Sequence, residues 1–239
     1  MSNAASSRSS AILSAEEWQA VRLTLGVAAR AIGFGLPLAV LVAWLLARFR
    51  FFGRPVLNAL VHLPLVLPPV VTGWLLLILF GLHGPIGSLL YSWFGVRLVF
   101  TTAGAALACG VMTFPVMVRS MRLALDAVDP GLEQAARSLG AGRLDRLFTV
   151  TLPLASPGIL VGAIVGYATC LGEFGAVITF AANIPGQTQT LPLAIYTALQ
   201  VPGGEAKAAQ LSMVSLTLAL IGLLLSEWIA KRLNAALGR

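Results

Sequence analysis

Few side chains in this sequence are of a type that does chemistry, and most of them stand alone. Glu173, in "CLGEFGAV", is the acid set deepest within apolar sequence. A charge at mid-membrane depth is costly, so such a residue is read first as a proton relay or gate. The plainer role is helix packing, with the carboxyl protonated or hydrogen-bonded and Gly172 and Gly175 allowing close approach. Packing is favoured, because an ionised carboxylate would repel an anion passing it. Thr101, Thr102 and Thr113 on one apolar run, and Ser212, Ser215 and Thr217 on another, offer hydroxyl donors to a polar path. Hydroxyls in helices also bond their own backbone, and both readings stay open. His62 and His83 are isolated, and Cys109 and Cys170 lie inside apolar runs as small hydrophobes. No spacing suits a metal site, and no nucleophile–base pair is apparent. The phosphate-binding pattern G-x-x-x-x-G-K-[ST] is missing from the sequence. No metal, cofactor or catalytic residue is therefore expected, and an intramembrane enzyme lacks its machinery.

The elements that would position these groups are membrane helices. The chain has 239 residues, 58% hydrophobic and 10% charged, with a mean hydropathy of +0.89. Soluble domains carry about 25% charged residues. The net charge of +7 comes without a consecutive basic run, which argues against nucleic acid. Cations beside membrane spans fix orientation instead. Residues 1–13 are polar and low in complexity and read as a flexible tail ahead of a single membrane domain, 14–239.

Apolar runs predict five spans, near 29–47, 56–80, 98–118, 159–180 and 208–230, in an all-α integral membrane protein. A further N-terminal crossing, making six, is the alternative. Ser14 and Glu17 form a capping-box pattern, so the first helix starts amphipathic before it enters the bilayer. Pro64, Pro68 and Pro69 interrupt the second span, which is tolerable where loosened backbone faces protein or a water-filled path. "GPIGSLLYSWFG" reads as a short interfacial piece carrying Tyr91 and Trp93. Arg97 beside it either attracts a dianion or anchors the interface. The apolar stretch 191–199 is too short to cross and is expected to be re-entrant or interfacial. One side of this topology collects Arg48, Arg50, Arg54, Arg119, Arg122, Arg137, Arg143, Arg146, Lys231, Arg232 and Arg239. The other keeps Arg8, Arg97 and Lys207, with Arg22 and Arg30 ambiguous. The bias places the N-terminus outside and the C-terminus in the cytoplasm.

The polar insert at 119–152 then lies in the cytoplasm, its core at 126–152. Asp129-Pro130 is a helix start, Glu133 suits the first turn, and Gly140 is a stop. Leu132, Ala135, Ala136 and Leu139 share one small apolar face, which lets another protein approach. A second segment, "RLDRLFTVTLP", is expected to break at Pro153. On composition alone, a docking helix and a plain connecting helix weigh equally.

"EQAARSLGAGRLDRLFTVTLP" resembles the EAA signature of ABC-importer permeases: E-A-A, three residues, Gly, nine residues, Ile, one residue, Leu-Pro. Gln134, Ala135, Ala136, Gly140, Val150, Leu152 and Pro153 fall at matching spacing. Gln134 replaces the signature's carboxylate, with Glu133 beside it, and Val150 replaces Ile. "VHLPLVLPPVVTGWLLL" and "LGEFGAVITFAANIPGQTQTLPLAIYTALQVPGGE" extend the resemblance to the molybdate branch, adjacent to the sulfate branch. The resemblance implies a type I importer permease fold in a bacterial inner membrane. It also implies a homodimeric pore among lipid, two cytoplasmic ATPase subunits and an external molybdate-binding protein. Glu133, Gln134, Ala135, Ala136, Leu139 and Gly140 would dock the ATPase. Sulfate or tungstate is the alternative cargo.

Overall fold

The computed structural model describes residues 14–236. The expected tail at 1–13 lies outside the described residues. Among those described, every regular element is helical. Helix α1 (Ala15–Arg48) opens on the expected capping box. Ser14 Oγ accepts from the Glu17 amide at 3.3 Å, and Glu17 Oε2 accepts from the Ser14 amide at 2.7 Å. Pro37 lies within α1 without ending it. The helix packs on α5 (Thr102–Asp126), the centre of the bundle. Ala28 and Ala31 on α1, with Ala105, Ala108 and Cys109 on α5, belong to one buried cluster. Side chains this small let helix backbones come close where apolar burial gives no net drive between helices in lipid.

The second span is not continuous. It divides into α2 (Arg54–Val66) and α3 (Pro69–Phe80), bent by 119°. Leu67 and Pro68 are extended, with ψ of 142° and 136°. Two consecutive prolines remove two amide donors and push the preceding residue out of the helical region. The short piece with Tyr91 and Trp93 is helix α4 (Pro85–Phe94), closed by Gly95 at φ +65°.

In the insert, α6 (Pro130–Ser138) is followed by an unbroken helical run: α7 (Arg143–Arg146), a π-turn (Leu147–Thr151) and α8 (Leu152–Leu171). Pro153 does not break it as expected. The wide turn directly before Pro153 loosens the ladder its ring would otherwise strain. The fourth span is displaced as well. It starts inside the insert and stops at Gly172, and α9 (Gly175–Ala181) is a separate short helix. The break falls at Gly172-Glu173, the one interruption of the apolar run. The apolar stretch 191–199 is helix α10 (Leu191–Leu199), at the expected bounds, and α11 (Glu205–Ala236) ends the described chain.

Four helical runs are long and apolar enough to cross a membrane: α1, α5, the run 143–171, and α11. The bent pair α2–α3 makes a fifth crossing if it counts as one span. No sixth such run exists among the described residues. Large apolar side chains face outward, among them Phe34 (83% exposed), Trp74 (54%) and Leu224 (66%). Outward faces of this kind suit lipid or another helix.

Contacts place some of the basic residues that the asymmetry rests on, while Arg8 and Arg239 lie outside the described residues. Arg48 at the end of α1 meets α6, and Arg122 on α5 reaches Asn58 on α2, which brings the basic loops together. Lys207 near the start of α11 pairs with Glu17 at the opposite end of the bundle.

Candidate functional site

The site begins with a helix that folds locally. Asp129 Oδ1 accepts from the Gly131 amide at 2.8 Å, and Pro130 follows at the first helical position. At the other end Gly140 has φ +90°, as its place in the sequence required. The Gly140 amide donates to the Arg137 carbonyl and the Ala141 amide to the Ala136 carbonyl, both at 3.0 Å. These paired bonds form a Schellman stop. No residue of α6 is fully buried. Leu139 is 90% exposed, and Leu132, Leu144 and Phe148 are also exposed. Ala135 and Gln134 face solvent, whereas Ala136 is half-buried. An apolar ridge flanked by polar groups is the expected form of a protein-docking surface.

Glu133 is placed differently from its neighbours. Its Oε1 accepts from Arg48 Nη2 at 2.9 Å and Nε at 3.1 Å, and from the Thr151 hydroxyl at 2.7 Å. Arg48 Nη2 also donates to the Leu125 carbonyl at 2.8 Å, near the end of α5. The carboxylate therefore points into the bundle and not along the exposed ridge. Sequence reasoning treated Arg48 only as an orientation charge and gave Thr151 no role. Nothing local links residues 85 positions apart. The available signal was a basic residue at the end of a span and a hydroxyl just before Leu152-Pro153.

The pathway candidates do not converge. Thr101 caps α5, accepting from the Gly104 amide and donating to the Leu98 carbonyl. Thr102 donates to the Gln187 carbonyl at 2.8 Å. Thr113 is fully buried and donates to the Cys109 carbonyl. Ser212 donates to the Ala208 carbonyl, and Ser215 is half-buried. None of these lines the 680 Å³ apolar groove beside α1, α2 and α5, nor the 620 Å³ cavity near Glu17, Gln189 and Lys207.

Gly175 packs against Pro69 at the corner between α2 and α3. Glu173 lies two residues before it, in the break between α8 and α9. Its Oε1 accepts from the Ala176 amide at 3.0 Å and so caps α9. Glu173→Gln keeps an acceptor there and is expected to retain transport within about threefold, as scored by initial uptake rates. Complete loss with normal assembly would show that the charge itself is required.

Just past α9 lies a polar group the sequence reading missed. The Asn183 amide donates to the Thr197 hydroxyl at 2.8 Å, and the Gln189 amide donates to Asn183 Oδ1 at 3.0 Å. Ala182 before them has φ 61° and ψ −171°, a region held almost only by glycine. Arg97 stacks on Tyr91 at 4.9 Å and donates to its hydroxyl at 3.2 Å, the arrangement of an interfacial anchor. The hydrogen bond from Arg97 and its charge lower the Tyr91 pKa.

Long apolar helices, outward apolar faces and charge gathered at one end define a polytopic membrane protein. The chain belongs to the family of binding-protein-dependent transport system inner membrane components, which it matches over residues 35–235. It is 55% identical to the molybdenum transport system permease protein ModB of Escherichia coli K12, over 228 residues, 95% of this chain and 100% of that relative. It is 38% identical to the sulfate transport system permease protein CysT of Salmonella typhimurium, over 202 residues, 83% of this chain and 73% of that relative. The fold matches a solved structure of the inward-facing MetNI methionine ABC transporter. The TM-score is 0.74 at 17% identity, covering 94% of this chain and 99% of that one.

Proposed function

We propose that this chain is the membrane subunit of an ABC importer that carries molybdate inward. Two copies form the pore, two cytoplasmic ATPase subunits drive it, and an external molybdate-binding protein loads it. The α6 end faces the cytoplasm, and Ser14 lies toward the outside. The observation that carries the reading is α6 itself, a well-capped helix with an exposed apolar ridge at the basic end of the bundle. The EAA spacing falls on that helix. The higher identity to ModB, over nearly the whole chain, favours molybdate over sulfate. Tungstate has the same charge and tetrahedral shape and stands as the nearest competitor.

The test is uptake into liposomes holding permease, ATPase and binding protein. Labelled molybdate should enter with ATP at low micromolar concentration. Tungstate should compete well, and a hundredfold excess of sulfate should compete poorly. Sulfate carried in preference to molybdate would overturn the cargo assignment.

A further inference from the structure

The Glu133 contacts join four elements at one point. The carboxylate belongs to α6, the guanidinium to the last residue of α1, and the hydroxyl to the end of the π-turn leading into α8. Through the Leu125 carbonyl, Arg48 also holds the last turns of α5. Both partners of the ion pair are 21% exposed, so water screens the pair only in part. Breaking one side would leave a poorly solvated charge and orphan the other groups. The π-turn takes part: its wide turn brings the Thr151 hydroxyl within 3.3 Å of the Arg146 carbonyl while that hydroxyl also serves Glu133. Apart from this cluster, α6 is weakly attached, since it buries no residue fully.

We propose that Glu133 is a positioning residue that clamps the docking helix α6 to the inner ends of α1, α5 and α8. Displacement of α6 then moves three membrane helices together. Without the clamp, α6 follows its partner while the bundle lags. Glu133 acts on coupling through Arg48 and Thr151 and makes no direct contact with the ATPase. This rests on the reading of α6 as the ATPase-docking helix.

The experiment compares Glu133→Ala, Arg48→Ala, their double variant and the charge swap Arg48→Glu/Glu133→Arg in the reconstituted complex. Molybdate uptake per ATP hydrolysed and retention of the ATPase on the purified permease are both measured. Each single variant should lower uptake per ATP about tenfold, with ATPase retention changed less than twofold. The double variant should be no worse than either single one, and the swap should recover about a third of the wild-type ratio. Thr151→Val, which deletes one hydrogen bond and keeps the volume, should lower the ratio about threefold even if the charge variants assemble poorly. The proposal is overturned if Glu133→Ala releases the ATPase while Arg48→Ala does not. It is also overturned if the two losses multiply, or if Thr151→Val assembles and couples normally. Amide exchange across residues 131–141 of the permease alone separates the two claims. If wild-type complex carries no molybdate but exchange rises in Glu133→Ala and falls back in the swap, the cargo reading fails and the clamp stands.

Discussion

Ala135→Trp combined with Leu139→Glu should cut ATP-driven uptake about 30-fold or more while the protein still inserts and dimerises. These side chains lie on the exposed ridge of α6 and support nothing inside the bundle. A charge at a residue 90% exposed costs the folded subunit little. Its cost appears on docking, when the carboxylate must lose water against an apolar surface, and an indole where a methyl stood prevents close approach. Central residues of an interface are commonly worth at least about 2 kcal/mol, which corresponds to about 30-fold in affinity. Membrane levels read by quantitative blotting should stay within twofold of wild type, and co-purified ATPase should fall with uptake. Unchanged uptake would mean that α6 is only a connector between spans.

Gly158→Leu should act by the opposite route, on folding and not on docking. A side chain added at Gly158 on α8 meets the Ala124 methyl of α5 in direct overlap, and the methyl has nowhere to go. Overpacking of this kind costs about 1–3 kcal/mol. For a chain with an ordinary stability margin, that is enough to lower its steady-state amount several-fold. The expected result is a loss of folded permease in detergent, seen by size exclusion, together with a proportional loss of uptake. Gly158→Ala should fall between wild type and leucine. A Leu variant with normal abundance would show that α5 and α8 do not pack as described.

The contrast between these sites shows what was legible without a structure. The Ser14–Glu17 capping box, the Asp129 cap, the Gly140 stop and the short α10 all rest on local chemistry, and each appears where the residues place it. The features that escaped depend on distance or on breaks inside uniform apolar text. The bend between α2 and α3 needed the paired prolines to act as a corner and not as a mere interruption. The end of α8 at Gly172 is marked only by the Gly172-Glu173 pair, with apolar text resuming at Phe174. With that break in place, the Glu173 carboxyl also caps α9. The union of Arg48, Glu133 and Thr151 joins residues that no periodicity connects. Of the hydroxyl candidates for the pathway, Thr113 and Ser212 donate to carbonyls of their own helices, as Thr and Ser in membrane helices often do, whereas Thr102 donates to Gln187. The Asn183–Gln189–Thr197 group was overlooked because its amides read as loop residues until the fold set them side by side.

The central claim is that α6 is where the ATPase meets this subunit, and a cross-link tests it most directly. Cys109 and Cys170 are both buried, so Leu139→Cys introduces the thiol that a reagent can reach. The complex should be treated with a short thiol-to-amine cross-linker, and the products resolved on a denaturing gel. A permease–ATPase adduct is predicted from Leu139→Cys, with its yield changing between ATP-bound and nucleotide-free states. A control thiol at Trp93, on the interfacial helix at the far end of the bundle, should give none. An ATPase adduct formed as readily from position 93 as from position 139, or from neither in an intact and active complex, would contradict the account.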